Sequence, residues 1–269
     1  MPYIDIAREA TAQRMLAEFP DLEPLEARPS SSESKKSTGG AEDQAIFDGH
    51  NTEQIRLMDE ACIAVDFDDK PYAAGSKKTL YIMSSIEKGL LHRAFSVFLF
   101  NEEGKLLLQQ RATEKITFPD LWTNTCCSHP LAITSEIGPT SSLDGYVEGV
   151  KKAAIRKLNH ELGIPAEDVP YDRFNFVTRI HYMAPSNGPW GEHEIDYILF
   201  VKAEPKLAPS PNEVRDIKWV SSKELQDMFN DKQYSFTPWF KLICESFLFK
   251  WWNSTNPDVS ATEINRMLS

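Results

Sequence analysis

The chain has 269 residues, 41% hydrophobic and 26% charged, enough to bury a core in one or two domains. Its formal net charge of −11 and pI near 5.1 exclude the basic face a nucleic acid or an anionic membrane would need. Four cysteines in a chain this long make no disulfide framework and suit a reducing, intracellular compartment. In chain order, residues 3–19 carry Ile4, Ile6, Met15, Leu16 and Phe19 at spacings that predict a short amphipathic helix, stopped by Pro20 and Pro24. Asp5, Glu9 and Glu18 argue against a transit peptide, and no run approaches the roughly 18 apolar residues that span a bilayer. Residues 28–45 are Ser- and Gly-rich and read as linker or disorder. Ala61–Asp66 reads as a strand, with a hairpin tip at Asp66–Lys70. Ala94–Phe100 and Lys105–Arg111, joined by Asn101–Gly104, read as a second hairpin. The segment 118–130 follows as loop and short strand. Asp144–Leu162 repeats Val147, Val150, Ala154, Leu158 and Leu162 at helical spacing, and Gly163 and Pro165 end it. Strands are expected at Phe174–His181, Glu192–Lys202 and Arg215–Val220. A helix begins at the Ser221–Glu224 capping pattern, and a last one runs from Pro238 to Trp252. Strands and helices mix without βαβ alternation, which is an α+β pattern.

Two stretches concentrate reactive groups. Thr123–Pro130 packs Cys126, Cys127 and His129 together, and free cysteine is as often a small core residue as a reactive one. In Trp190–Tyr197, strand alternation puts Glu192, Glu194 and Asp196 on one face and His193, Ile195 and Tyr197 on the other. Three carboxylates on one face repel each other unless a cation or a proton relieves them. With His92 and His129, two of them compose a donor set for a divalent transition metal or Zn²⁺. Lys77, Lys78, Arg111, Lys115, Arg156 and Lys157 are the cations able to hold an anionic substrate; each taken alone reads as a solvated charge.

The helix at 144–162 resembles the Nudix box, with Glu148, Arg156, Glu161 and Gly163 in their places. Ser142 stands for its glycine, and Lys157 and His160 for two of its glutamates. A helix short of half its carboxylates suits holding a diphosphate more than cutting it. Lys88–Phe100, Leu106–Arg111, Lys115–Pro119, Trp122–Pro130, His160–Pro165, Arg179–Tyr182, Gly191–Phe200, Phe236–Lys241 and Phe249–Trp252 further resemble the type I isopentenyl-diphosphate isomerases, most closely the fungal ones. The resemblance spans about residues 52–252. It implies a Nudix-like α/β/α sandwich with a mixed sheet over 51–255, an N-terminal extension at 1–50, partly disordered, and a C-terminal tail at 256–269. It implies interconversion of isopentenyl and dimethylallyl diphosphate through a carbocation, in isoprenoid and sterol precursor synthesis in the cytoplasm.

Carried over by motif, Cys127 and Glu194 are the catalytic groups on opposite faces of the allyl unit, with Tyr182 assisting Glu194. Trp239 steadies the cation with its ring, and Lys77, Arg111, Lys115 and the Ser128 backbone bind substrate. His92, His129, Glu192 and Glu194 hold a metal, Mg²⁺ or instead Zn²⁺ or Mn²⁺, and Glu161 holds a Mg²⁺ on the diphosphate. The family pattern has a further His ligand eleven residues before His92, where this chain has Tyr81. That exchange predicts weaker metal binding. It keeps open a second reading, an impaired or regulatory relative. A hydrolase of another diphosphate is a third. Oligomeric state is left open.

Overall fold

The computed structural model describes residues 3–27, 45–252 and 261–268. The linker expected at 28–45 lies almost wholly outside the described residues. Residues 3–19 form two helices, α1 (Tyr3–Glu9) and α2 (Ala12–Glu18), in place of the single one expected. The Thr11 side chain accepts from the Arg14 backbone N–H, so a fresh N-cap restarts the helix there. Strand β1 (Glu23–Pro24) and helix α3 (Thr52–Leu57) follow, and β2 (Ala61–Val65) and β3 (Pro71–Ser76) form the expected hairpin. At its tip Asp69 takes a left-handed backbone, φ 65°, which Asp tolerates better than most residues. Short helices α4 (Lys77–Tyr81) and α5 (Met83–Ile86) lead into β4 (His92–Phe100).

The second hairpin departs from expectation. Its turn closes, with Asn101 N–H bonded to Lys105 C=O at 2.9 Å. Yet β4 meets β5 (Leu106–Arg111) at one pair only, Phe100 and Leu106. Instead β5 pairs with β6 (Trp122–Thr123) and β10 (Val214–Val220), which frees the edge of β4 for β7 (Cys126–Ser128). Hydrophobic alternation marks strands and says little about which partner a strand takes.

Helices α6 (Thr134–Ile137) and α7 (Leu143–Leu162) come next; Gly163, at φ 65°, caps the latter in the left-handed conformation. Strands β8 (Asn175–Pro185) and β9 (Gly191–Lys202), then α8 (Ser222–Asn230) with the predicted capping box, complete the middle of the chain. Helix α9 (Pro238–Ile243) continues through a π-turn at Cys244–Leu248 into Phe249–Trp251. Strand β11 (Ile264–Arg266) pairs in parallel with β8.

The sheet runs β1-β3-β2-β4-β9-β8-β11 and is mixed, with β4 and β9 parallel. Phe95, Val97, Leu99, Ile195, Tyr197 and Leu199 turn to one face and pack with Val150, Ala154 and Leu158 of α7. Phe98, Ile180, Tyr182 and Ile198 turn to the other and pack with Leu225 of α8 and Trp239, Phe240 and Ile243 of α9. Helices therefore cover the sheet on both sides, as the α/β/α expectation has it. Both ends of the chain dock on this core: Ala10, Met15 and Leu22 are buried near β2 and β3, and β11 closes the far edge.

Candidate active site

The side chains expected to be catalytic lie on the α9 face because of register. Residues directly opposite each other across a pair of strands share a face. His92 opposes Glu194, Tyr182 opposes Glu194 from β8, and Ser96 opposes Cys127. Glu192, Glu194 and Asp196 therefore face the same side as Cys127, as alternation requires, and the adjacent Cys126 points into the opposite core.

Glu194 is fully buried. Its Oε1 lies 2.7 Å from His129 Nε2 and 3.1 Å from His92 Nε2, and Tyr182 Oη stands 2.7 Å from Oε2 and 2.9 Å from Glu192 Oε2. One hydroxyl has one proton, so it serves one carboxyl at a time. Burial would raise Glu194, but His129 and the two imidazole contacts outweigh it and hold the carboxyl well below its usual range. Burial and the Glu194 charge push Glu192 up to about 8. Burial pushes His129 down to about 4, so its ring is neutral, as a metal ligand must be. Cys127 is pushed well up by burial, then by Asp196, Glu194 and Glu192. Asp196 is pushed well up by burial and Glu194; Ser96 Oγ donates to its Oδ2 at 2.7 Å.

Candidate ligand atoms of His92, His129 and Glu194 all lie within 4.8 Å of one another and are buried. Two nitrogens crowding one carboxylate oxygen, with no lysine or arginine paired to it among the described residues, fit a divalent cation's donor set. Glu192 stands beside this trio, linked by Tyr182, and Tyr81 Oη reaches His129 Nε2 at 2.8 Å. Burial pushes that phenol well up, so Tyr81 is a neutral hydroxyl against a candidate ligand nitrogen.

Trp239 closes the face. Its Nε1–H donates to Asn124 Oδ1 at 3.1 Å, and its ring lies 6.1 Å from that of Tyr182 and 5.2 Å from that of Phe118. Asn124 is itself fixed by donating to the Val97 and Cys126 carbonyls. Two strands thus aim one indole, in a position that sequence reading had not tied to Asn124.

Of the predicted cations, Arg111, Lys77 and Lys157 act on Lys115, while Arg156 pairs with Glu136 at 2.6 Å. Arg111 donates to the Thr117 and Phe118 carbonyls, and its guanidinium stands 5.7 Å from the Trp239 ring. Lys77 lies 5.4 Å from the Tyr81 ring. Burial pushes Lys115 down, and the like charges of Arg111, Lys77 and Lys157 act with it, while Glu213 opposes them at 2.7 Å. Ser128 opposes Phe95 in the sheet. Glu161 sits apart from the histidine trio: Gln109 Nε2 donates to it at 3.0 Å, and Lys157 pairs with it at 3.3 Å. Glu148, the other retained box glutamate, is half-buried and pairs with Lys152. Glu213 lies in no motif, and Gln109, although inside the Leu106–Arg111 stretch, carries no role there that the sequence shows; only chain folding brings Glu213 to Lys115 and Gln109 to Glu161. A cavity of about 230 Å³ opens beside Lys115, lined also by His50, Pro119 and Trp190.

The NUDIX domain family model matches residues 90–240. The chain is 53% identical to an isopentenyl-diphosphate delta-isomerase of Candida albicans over 99% of both chains. It is 61% identical to one from Schizosaccharomyces pombe, over 77% of this chain and 90% of the relative. A Bos taurus isopentenyl-diphosphate Delta-isomerase 1 is 51% identical over 76% and 88%.

Proposed function

The chain belongs to the isopentenyl-diphosphate delta-isomerase family, built on a NUDIX domain, and from that premise we propose how its buried carboxyl face moves a double bond. It interconverts isopentenyl and dimethylallyl diphosphate, serving isoprenoid synthesis. The allyl unit lies between Cys127 and the Glu194–Tyr182 pair. A proton from Glu194, passed with the help of the Tyr182 hydroxyl, adds to the terminal methylene carbon, and the tertiary carbon becomes cationic. The carbon next to the diphosphate arm then gives a proton to the Cys127 sulfur, and the double bond closes on the other side. One proton enters and one leaves, and no electrons are gained or lost. Because burial and three carboxyls push the thiol up, the sulfur holds the proton whenever Glu194 is anionic. In the reactive state the proton sits on Glu194 and the sulfur is thiolate.

An alkene is a weak base, so this transfer needs a preorganised acid sheltered from water. Glu194, Tyr182 and Trp239 are all fully buried. The Trp239 ring, held by Asn124, offers its negative face to the cation. His92, His129, Glu194 and Glu192 would hold a divalent ion, Mg²⁺, Zn²⁺ or Mn²⁺, whose charge sets the acidity of the carboxyl. Glu161 would hold Mg²⁺ on the diphosphate, which Lys77, Arg111, Lys115 and the Ser128 backbone bind. Residues 51–255 form the catalytic unit, with 1–50 and 256–269 as flanking segments. No described helix is long and apolar enough to cross a membrane, and the free cysteines suit the cytoplasm and its sterol-precursor pathway.

The observation that carries this reading is the shared face of Cys127, Tyr182 and Glu194. Its test is product analysis with isopentenyl diphosphate. Cys127→Ala and Glu194→Gln should each leave no measurable dimethylallyl diphosphate while remaining folded. Turnover near that of the unmodified protein in either variant would refute the assignment.

A further inference from the structure

Behind the carboxyl face, on the opposite side of the same strands, two buried histidines form a chain of hydrogen bonds that the reaction does not use. Arg266 Nη1 lies 2.8 Å from His181 Nδ1, His181 Nε2 lies 2.8 Å from His193 Nε2, and His193 Nδ1 lies 2.8 Å from the Leu90 carbonyl. A guanidinium can only donate and a carbonyl can only accept. These two ends fix every proton between them. His181 accepts at Nδ1 and donates from Nε2, and His193 accepts at Nε2 and donates from Nδ1. With Nδ1 of His181 and Nε2 of His193 each accepting, each ring keeps a single proton and is neutral. Tyr3 Oη, which donates to the Ile86 carbonyl, lies 3.2 Å from His193 Nδ1 and accepts a share of its proton.

The chain ends beside the candidate metal ligands. His193 sits between Glu192 and Glu194, and Leu90 is two residues before His92. The bond from His193 to Leu90 thus ties β9 to the entry of β4 one residue from the register pair His92–Glu194. Its head is the C-terminal strand: β11 runs beside Arg179–His181, Met267 N–H donates to the His181 carbonyl, and Arg266 stacks on Phe67 while donating to its carbonyl. We propose that Arg266 is a positioning residue for the divalent-metal site, acting through the ordered His181–His193 pair, so that the C-terminal strand sets how tightly that site closes. This rests on the metal assignment to His92, His129 and Glu194.

The test uses full-length protein and Zn²⁺ affinity measured against a chelating dye, alongside ¹⁵N NMR of the histidine rings and thermal melting. Arg266→Met keeps an apolar stem on Phe67 and removes the donors. It should loosen Zn²⁺ about tenfold, the lower end of what losing an outer hydrogen-bond partner costs a site, and scramble the His181 tautomer. Arg266→Lys, which restores a cationic donor group able to reach His181, should bind Zn²⁺ within about threefold of the unmodified protein. Unchanged affinity in Arg266→Met overturns the proposal. So does equal loss in both variants that follows their melting temperatures, which marks a merely structural strand. Unmodified protein that binds no Zn²⁺, Mg²⁺ or Mn²⁺ would instead overturn the metal assignment itself.

Discussion

Two buried charge clusters lie on opposite faces of one sheet and are balanced in opposite ways. Asp69 is one carboxylate for two guanidiniums: Arg93 and Arg179 each reach it at 2.9 Å, and Tyr197 donates to it as well. Arg93 also lies 4.1 Å from the Tyr146 ring. Glu192, Glu194 and Asp196 are three carboxyls whose close partners are neutral imidazoles and hydroxyls, with no lysine or arginine ion pair among the described residues. Buried charges that each meet an opposite charge hold structure together; like charges gathered with no opposite charge beside them cost stability and suit a site that takes up a cation. The first cluster belongs to the fold, and the second to chemistry that brings cations.

If that contrast holds, neutralising one carboxyl in each cluster must give opposite outcomes. Glu194→Gln should lower kcat by at least about a thousandfold, to below measurable product, as the loss of a proton-transfer group allows, and should not lower the melting temperature of metal-free protein. Asp69→Asn should leave kcat per folded molecule within about twofold yet cost about 3–5 kcal/mol in denaturant unfolding, because two guanidiniums lose their buried partner. Similar stability losses in both variants would erase the contrast.

Acid should reach the surplus cluster through His129, as it reaches the buried His181 and His193 on the other face. Folded His129 titrates near 4 and the unfolded group near 6.5, so between those values the unfolded chain binds more protons. Metal-free protein should therefore lose up to a few kcal/mol as pH falls from about 6.5 to about 4, with no such loss above that window. His129→Gln should flatten the slope in urea melts taken across this range. The smallest expected effect is at Tyr81. Replacing its neutral phenol with His should tighten Zn²⁺ about tenfold in dye competition, and unchanged affinity would remove Tyr81 as the weak point of the donor set.

Much of this was legible because it depends on local periodicity. Alternation along Glu192–Tyr197 put three carboxyls on one face before any partner strand was known, and three- and four-residue spacing located α7 within one residue of its start. The proposed reactive positions came from motif resemblance. What stayed hidden depends on partners distant in the chain. The pairing of Lys115 with Glu213 spans 98 residues and obeys no spacing rule. β5 reads as the partner of β4, but pairs with β10 because a turn sets only the first rung of a ladder. β11 is three residues long, too short for a period to emerge, although Arg266 within it meets His181.

The central claim is that sulfur and carboxyl each handle one of two protons on one prenyl unit. Its most direct measurement is solvent deuterium uptake by isopentenyl diphosphate in D₂O, read by NMR. Unmodified protein should place deuterium in a methyl group of dimethylallyl diphosphate, with Cys127→Ala and Glu194→Gln placing none in either isomer. Deuterated product from Glu194→Gln at an undiminished rate would mean that another group supplies the proton, and the account would fail.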